Sequence, residues 1–222
     1  MYSYSHPHPA VTTDIVIFTI LEERLQVLLI RRAAEPFRNS WALPGGFVNI
    51  DEDLETGALR ELQEETGIRD IYLEQLYTFG RPDRDPRERV ITVAYYALVP
   101  IDQLQSIEAA SDAAALAWHP VDRLPALAFD HGLIIDLARQ RLAAKLDYST
   151  IALQFLPRSF SLGELQNVYE VIAGETIDKR NFRKRILGAG FLVDTGKLRR
   201  GNRHRPARLY RAKSPGTLSY IR

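Results

Sequence analysis

The chain has 222 residues, enough for one sizeable domain and a second, smaller one. With 45% hydrophobic and 26% charged residues it has the composition of a globular protein, and no apolar run approaches the ~20 residues that a membrane-spanning helix needs. The absence of cysteine excludes disulfides and thiolate metal sites and is consistent with a reducing compartment. We therefore expect a cytoplasmic protein without a membrane partner.

The two parts of the chain carry opposite charge. Residues 1–149 have 14 Lys and Arg against 23 Asp and Glu, a formal charge of −9, whereas residues 150–222 have 15 against 5, a formal charge of +10. Such asymmetry indicates two domains, and it suits the basic one to a polyanionic partner. We predict domains at 1–149 and 150–222.

The first part alternates apolar, β-branched runs with turn signals and then ends in an amphipathic helix. A hairpin is expected from two runs joined by a polar connection, and a charged, proline-containing loop separates two later strands. This order of elements predicts an α/β/α layered fold with a mixed sheet. The predicted strands are Asp14–Ile20, Gln26–Ile30, Trp41–Gly46 (with its glycine turn), Ile71–Phe79 and Val90–Val99, and the closing helix is Asp130–Ala144.

Between Gly46 and Ile68 the sequence predicts a short helix. Leu54, Ala58 and Leu62 recur at helical spacing and so form an apolar stripe. Gly67 is suited to end the helix, because glycine adopts positive φ at low cost.

Acidic side chains occupy the opposite face of this helix. Glu61, Glu64 and Glu65 are spaced i, i+3 and i+4, and three carboxylates on one face repel one another unless a cation lies among them. Arg60 can pair with Glu64, and Glu52 can brace the same guanidinium. Oxygen ligands of this kind suit Mg²⁺ or Mn²⁺, whereas a solvated acidic face is the alternative for a lone Glu-x-x-Glu-Glu.

The second part begins with a capping box, Ser161–Glu164, that opens a helix ending at Gly174. Asp178 caps a second, basic helix, and two strands, Phe191–Val193 and Leu209–Arg211, flank a basic loop. Helix, turn, basic helix and basic hairpin are typical of a winged helix-turn-helix, although a solvated basic surface is the alternative. The residues predicted to contact DNA are Lys179, Arg180, Asn181, Arg183 and Lys184 on the helix, and Arg203, His204 and Arg205 in the loop.

The stretch from Gly46 to Ile68 resembles the Nudix box, G-x5-E-x7-R-E-U-x-E-E-x-G-U with U aliphatic, and fills every fixed position. That family cleaves substrates built as a nucleoside diphosphate linked to another group. The resemblance implies that Glu61, Glu64, Glu65 and the Gly46 carbonyl are metal ligands, and that Arg60 and Glu52 organise them.

A further acidic pattern of Nudix hydrolases is only half present. Many of them carry acidic residues six and three positions before a tryptophan. Asp112 fills the first position before Trp118 and is the predicted additional metal ligand, but Ala115 stands at the second. The sequence therefore leaves hydrolysis open, with Asp83, Asp85 or Glu88 as substitute ligands.

Taken together, the two parts resemble the Nudix-related transcriptional regulators of NAD metabolism and their sugar-utilisation relatives. Besides the box, four stretches carry the resemblance: Trp41–Val48, Thr78–Arg87, Leu127–His131 and Asp178–Lys184. It implies an ADP-ribose-binding Nudix domain, with Arg81, Asp85 and Arg87 contacting the effector, followed by a winged helix. It also implies a homodimer on a palindromic DNA operator, and repression that ADP-ribose relieves.

Two other functions remain open. One is a Mg²⁺-dependent ADP-ribose or nucleotide-sugar pyrophosphatase with an accessory basic domain. The other is an RNA-processing Nudix enzyme, which the sequence favours less, because RNA modules usually expose aromatic stacking platforms and Tyr169, Phe182 and Tyr210 are expected in the core.

Overall fold

The computed structural model describes residues 5–104, 116–199, 206–216 and 218–220. These residues divide into two compact units. The first holds the described residues of 1–18, 26–98 and 105–138, and the second those of 19–25, 99–104 and 139–222. The bounds 1–149 and 150–222 remain a prediction. No helix in the described ranges has the length and apolar character needed to cross a bilayer.

A seven-stranded mixed sheet forms the centre of the first part of the chain. Strands β3-β2-β1-β6-β5 are neighbours in that order, β4 pairs with β1 and β7 with β2; β1 and β6 run parallel. Within the described residues, the strands are β1 Ala10–Leu21, β2 Arg24–Arg31, β3 Trp41–Ala42, β4 Gly45–Phe47, β5 Tyr72–Phe79, β6 Val90–Leu98 and β7 Leu116–Pro120, and the helices are α1 Leu54–Thr66 and α2 His131–Lys145. Single 3-10 turns lie at Ile101–Gln103 and Ile151–Phe155.

The core shows why the sheet is layered. Four successive residues of β1, from Ile15 to Phe18, are fully buried. Because neighbouring side chains of a strand point to opposite faces, this burial requires cover on both faces of the sheet. The predicted α/β/α class with a mixed sheet is confirmed.

The predicted hairpin forms between β1 and β2. Its two central residues, Glu22 and Glu23, have φ of 51° and 57°, which is the geometry of a type I′ turn. Strand β1 starts at Ala10, earlier than predicted, because residues 10–13 pair with β6 and partly with β4. Strand β7 was not predicted, since a five-residue run ending in proline gives a weak strand signal.

Helix α1 has the predicted polarity. Ala58 and Leu62 are buried, and Gly67 ends the helix with φ 70° while its N–H bonds to the carbonyl of Gln63. Gly57 packs closely: a Cβ there would lie 3.1 Å from Oε1 of Glu52, so that carboxylate would have to shift.

Gly45 sits where no other residue fits. Its φ is 151°, and a Cβ would lie 2.1 Å from the carbonyl oxygen of Thr13. We expect Gly45→Ala to lower the free energy of unfolding by about 3 kcal/mol, because β1 and β4 would have to separate. Urea unfolding followed by tryptophan fluorescence measures this. In Gly80→Ala, where a Cβ meets nothing closer than 3.7 Å, the midpoint should stay near the wild-type value. Equal midpoints in both variants would contradict the account.

The second part folds as two helices and a three-stranded sheet. Ser161 and Glu164 form both hydrogen bonds of the predicted capping box, and Asp178 caps the basic helix. The elements are β8 Phe160–Ser161, α3 Leu162–Ala173, α4 Lys179–Gly188, β9 Leu192–Arg199 and β10 Ala207–Ala212, with sheet order β8-β10-β9. Strand β9 runs further than predicted, so part of the expected basic loop is strand.

Candidate functional site

A cavity of about 360 Å³ opens beside the C-terminal turn of α1, within the first unit. Strand β1, the β3–β4 turn, helix α1 and the loop after β5 all contribute to it. Its lining combines three carboxylates, four guanidinium groups and two aromatic rings: Asp14, Glu65 and Asp85; Arg31, Arg32, Arg84 and Arg87; Phe47 and Phe129. Such a surface suits an anionic ligand that also has an aromatic part.

Arg60 organises the acidic face of α1, as predicted from its spacing. It contacts Glu52 at 2.6 and 3.0 Å, Glu61 at 2.7 Å and Glu64 at 3.3 Å. The hydrogen bonds to Glu52 and Glu61 raise the pKa of Arg60, and the bond to Arg60 lowers the pKa of Glu52 to about 2. One guanidinium therefore bridges three carboxylates at the edge of the helix and leaves a net negative charge there.

Glu65 is the acidic residue of the box that lines the cavity. Its Oε2 accepts a hydrogen bond of 2.8 Å from the N–H of Gly45. Burial, together with the nearby charges of Glu61 and Asp14, raises the pKa of Glu65 to about 7, against the opposing effects of the Gly45 bond and Arg32. A carboxylate so placed favours a cation beside it.

The predicted metal ligands are only partly brought together. Gly46 and Glu65 line the cavity, and a Cβ at Gly46 would lie 2.3 Å from Oε1 of Glu61, so that carboxylate lies against the glycine backbone. The side chain of Glu64 is 60% exposed and directed to Arg60. Across the described ranges, no three His, Asp or Glu side chains converge as in a preformed metal site. Asp112 and Ala115 lie outside the described residues.

The loop after β5 places its predicted effector residues differently. Asp85 and Arg87 line the cavity as a bidentate pair at 2.7 and 3.0 Å, with the Arg87 guanidinium 5.5 Å from the ring centre of Phe47. Arg81 is outside the cavity lining and pairs with Asp83 at 3.0 Å, where both side chains are 70% exposed. The structure thus assembles Asp85 and Arg87, but not Arg81, at the cavity.

A buried charge cluster at the cavity floor was not predicted from the sequence. Arg84 bonds Asp130 at 2.7 and 3.1 Å and Asp14 at 3.2 Å, and its side chain is 4% exposed. Burial opposes its charge, but the two carboxylates outweigh burial and raise the pKa of Arg84. The available signal was Asp14, a charged residue at the start of an apolar strand.

His131 anchors the β3–β4 turn to this cluster. Its Nδ1 accepts a 2.8 Å hydrogen bond from the N–H of Leu43, so the proton of the neutral ring is on Nε2, 3.6 Å from Asp14. Burial lowers the pKa of His131, and Arg84 adds to this effect while Asp14 and Asp130 oppose it.

The lowered pKa predicts an acid-sensitive fold. The folded state disfavours protonated His131, so its contribution to stability is present above pH 6.5, the ordinary value, and is lost as the pH falls. We expect the melting temperature to drop more between pH 7.5 and 5.5 in the wild type than in His131→Gln, which cannot take up the proton. The opposite contribution of Glu65 is present in both proteins and cancels. An equal drop in both would contradict the assignment.

In the second unit, α4 presents a basic surface. Phe182 and Ile186 are buried, and the five predicted DNA contacts on this helix are all exposed. Lys179 and Arg183 line a groove of about 640 Å³ with Arg208 and Tyr210 of β10.

Not every basic or polar group of this unit faces that groove. Asn181 lines a different groove together with Arg185, whose guanidinium lies 5.5 Å from the ring centre of Tyr169. At the end of β9, Arg199 is held by Glu164 at 2.6 Å. Arg203, His204 and Arg205 lie outside the described residues.

Comparison with known proteins identifies both parts. The family model for the NUDIX domain matches residues 11–137, and the model for the NrtR DNA-binding winged helix domain matches residues 152–212. Proteins of the Nudix family generally use divalent metal ions.

Two relatives are similar over most of the chain, and the separate NUDIX domain of one of them is similar over a shorter stretch. An ADPR responsive transcriptional repressor NtrR of Acinetobacter baylyi is 38% identical over 93% of this chain and 83% of its own. NrtR of Shewanella oneidensis, solved with a 27mer DNA, is 42% identical over 91% of this chain and 93% of its own, with a TM-score of 0.81. Its NUDIX domain, solved with ADP ribose, is 37% identical over 62% of this chain and 91% of its own, with a TM-score of 0.52.

A third relative matches a smaller share of the chain. An ADP-ribose pyrophosphatase of Methanocaldococcus jannaschii is 40% identical over 58% of this chain and 72% of its own. The full-length similarity, by contrast, is to proteins that join both domains. The chain therefore belongs to the NrtR family, in which a Nudix domain precedes a DNA-binding winged helix.

Proposed function

We propose that this protein is a transcriptional repressor whose winged helix binds an operator and whose Nudix domain binds ADP-ribose as the effector. The observation that carries the proposal is the presence, in one chain, of an arginine-rich cavity beside an intact Nudix box and a basic NrtR-type winged helix. The A. baylyi and S. oneidensis relatives, described as ADPR responsive and solved with DNA and ADP ribose, support it.

The cavity has the groups that ADP-ribose needs. The guanidinium groups of Arg32 and Arg87 suit the diphosphate, because arginine forms paired hydrogen bonds to phosphate oxygens. Phe47 and Phe129 provide apolar faces for the adenine, and Arg32 lies 4.8 Å from the ring centre of Phe129. Arg87 remains tied to Asp85, so its orientation is set before the ligand binds.

The box suits Mg²⁺ or Mn²⁺ at the diphosphate. Glu61, Glu64, Glu65 and the Gly46 carbonyl would hold the ion, with Asp112 as a further ligand. On binding the ion, Glu61 and Glu64 would give up their contacts with Arg60 and contact the ion instead. In its absence, these contacts with Arg60 hold both carboxylates near the proposed metal site. When bound, the ion neutralises diphosphate charge and activates water.

We assign the DNA surface to α4 and to the basic loop between β9 and β10. Arg183 and Lys179 face the groove toward β10, and Arg180 and Lys184 are exposed beside them. A homodimer would place two such helices on a palindromic operator of NAD-metabolism genes in the cytoplasm. Arg203, His204 and Arg205 complete the proposed contacts, whereas Asn181, which lines the other groove with Arg185, remains a prediction from the sequence.

A mobility shift on DNA from upstream of the protein's own and neighbouring genes tests the repressor function. We expect a specific shift that a scrambled fragment of equal length does not give, and loss of that shift when ADP-ribose is added. Equal affinity for both fragments would contradict the repressor proposal.

The second candidate is a Mg²⁺-dependent ADP-ribose or nucleotide-sugar pyrophosphatase with an accessory basic domain. Two observations favour it: every acidic position of the box is filled, and the M. jannaschii relative is a pyrophosphatase. Glu65, whose carboxylate lies at the cavity wall and accepts a hydrogen bond from the Gly45 N–H, is suited to hold the metal ion at the diphosphate.

Turnover measurements separate this candidate from pure sensing. If the box is active, ADP-ribose with Mg²⁺ yields AMP and ribose 5-phosphate, and Glu65→Gln lowers the rate on the order of 100-fold. Glu55→Gln, which removes an exposed acid from the same helix, serves as the matched control. Product release that does not depend on Glu65 would exclude the box as its source.

A further inference from the structure

We propose that the hydroxyl of Thr12 is a ligand contact that determines specificity in the cavity, forming a hydrogen bond to a hydroxyl or amino group on the nucleoside part of the effector. The inference rests on the proposed function, since it takes a nucleotide such as ADP-ribose as the occupant. It adds a residue outside the box, the loop after β5 and the charge cluster.

Thr12 is an unsatisfied polar group at the cavity wall. It is 9% exposed, lines the cavity, and its Oγ1 has no hydrogen-bond partner among the described residues. The Thr12 carbonyl, by contrast, accepts a bond of 3.2 Å from the hydroxyl of Thr92. A buried hydroxyl without a partner lowers the stability of the folded state by about 1–3 kcal/mol. In the absence of ligand, valine at this position would therefore give a more stable fold than threonine.

Strand geometry places the Thr12 side chain on the cavity face of β1. Side chains alternate along β1, so Thr12 and Asp14 share a face, and both line the cavity. Thr13 points to the opposite face, is fully buried, and also has an Oγ1 without a partner in the described ranges. Phe47 is the register partner of Thr12 in β4, which places Thr12 at the aromatic side of the cavity.

The chemistry of the surroundings selects the ligand group. Arginines already serve the phosphates, and a threonine hydroxyl both donates and accepts one hydrogen bond at low charge. Its natural partner beside Phe47 is therefore a neutral polar group of the nucleoside. A site built to hydrogen-bond such a group discriminates strongly against ligands that lack it.

Two isosteric substitutions test the proposal in the full-length protein. Thr12→Val removes the hydroxyl at the cavity, and Thr13→Val removes the matching hydroxyl on the other face of the same strand. Calorimetric titration with ADP-ribose should give a Kd about tenfold higher for Thr12→Val, and a Kd within about twofold of the wild type for Thr13→Val. Thr12→Ser, which keeps the hydroxyl, should restore most of the affinity.

Thermal melts without ligand separate this role from a structural one. Neither valine variant should melt below the wild type, because each loses only an unsatisfied hydroxyl. Wild-type affinity in Thr12→Val would overturn the proposal, as would an equal loss of affinity in Thr13→Val. Failure of the wild type to bind ADP-ribose would instead overturn the proposed function, and the inference with it.

Discussion

Replacing Arg84 with methionine is expected to lower the free energy of unfolding of the first unit by about 3–5 kcal/mol. The change leaves Asp14 and Asp130 without their cation in a site where the arginine side chain is only 4% exposed. Breaking a buried ion pair from one side costs far more than the pair contributes, because the remaining charges stay desolvated. Both tryptophans of the chain lie in this unit, so denaturation followed by tryptophan fluorescence measures the loss.

Arg81→Met provides the matched control for this prediction. Arg81 also pairs with an aspartate, Asp83, at 3.0 Å, but both side chains are 70% exposed. Exposed ion pairs contribute about 0–1 kcal/mol, so the unfolding midpoint should hardly move. A loss in Arg81→Met as large as that in Arg84→Met would show that burial of the cluster is not the cause. Adding Asp14→Asn and Asp130→Asn to Arg84→Met should recover part of the stability.

Replacing Arg183 with alanine is expected to weaken operator binding strongly while the fold is retained. Arg183 is exposed on α4 and faces the groove toward β10. A base contact from one arginine is worth about 1–3 kcal/mol, and the proposed dimer on a palindrome would lose it twice, so affinity should fall by about 30-fold or more. Fluorescence anisotropy with a labelled operator fragment at fixed salt measures the change.

Arg185→Ala removes the same charge from the same helix and is the control. Arg185 lies over the ring of Tyr169 in a different groove, so its loss should weaken DNA binding only by the long-range charge effect, a few-fold at most. If both variants lose affinity equally, α4 contributes general positive charge and not a specific contact.

Local sequence signals predicted the elements that local physics determines. The spacing of Ala58 and Leu62 set the buried face of α1, the φ preference of Gly67 ended it, and the capping box of Ser161 started α3. Each of these depends on residues within about one helical turn of each other, so one sequence contains the needed information.

The cavity floor depends instead on contacts between distant segments. Arg84 lies 70 residues from Asp14 and 46 from Asp130, and His131 lies 88 residues from Leu43. These residues come together because β1 pairs in parallel with β6, and because the start of α2 packs against the β3–β4 turn and the loop after β5. The same limit explains why the sequence predicted an effector contact for Arg81 as well as for Arg87. Two residues of one loop can direct their side chains to different surfaces.

The most direct test of the account measures the coupling between the two sites in both directions. Operator affinity is measured with and without saturating ADP-ribose, and ADP-ribose affinity with and without saturating operator, with Mg²⁺ present and AMP release monitored. Linkage requires the same factor in both, expected at about 5- to 150-fold weakening. An operator affinity that does not change with ADP-ribose, together with an ADP-ribose affinity that does not change with the operator, would contradict an effector-controlled repressor.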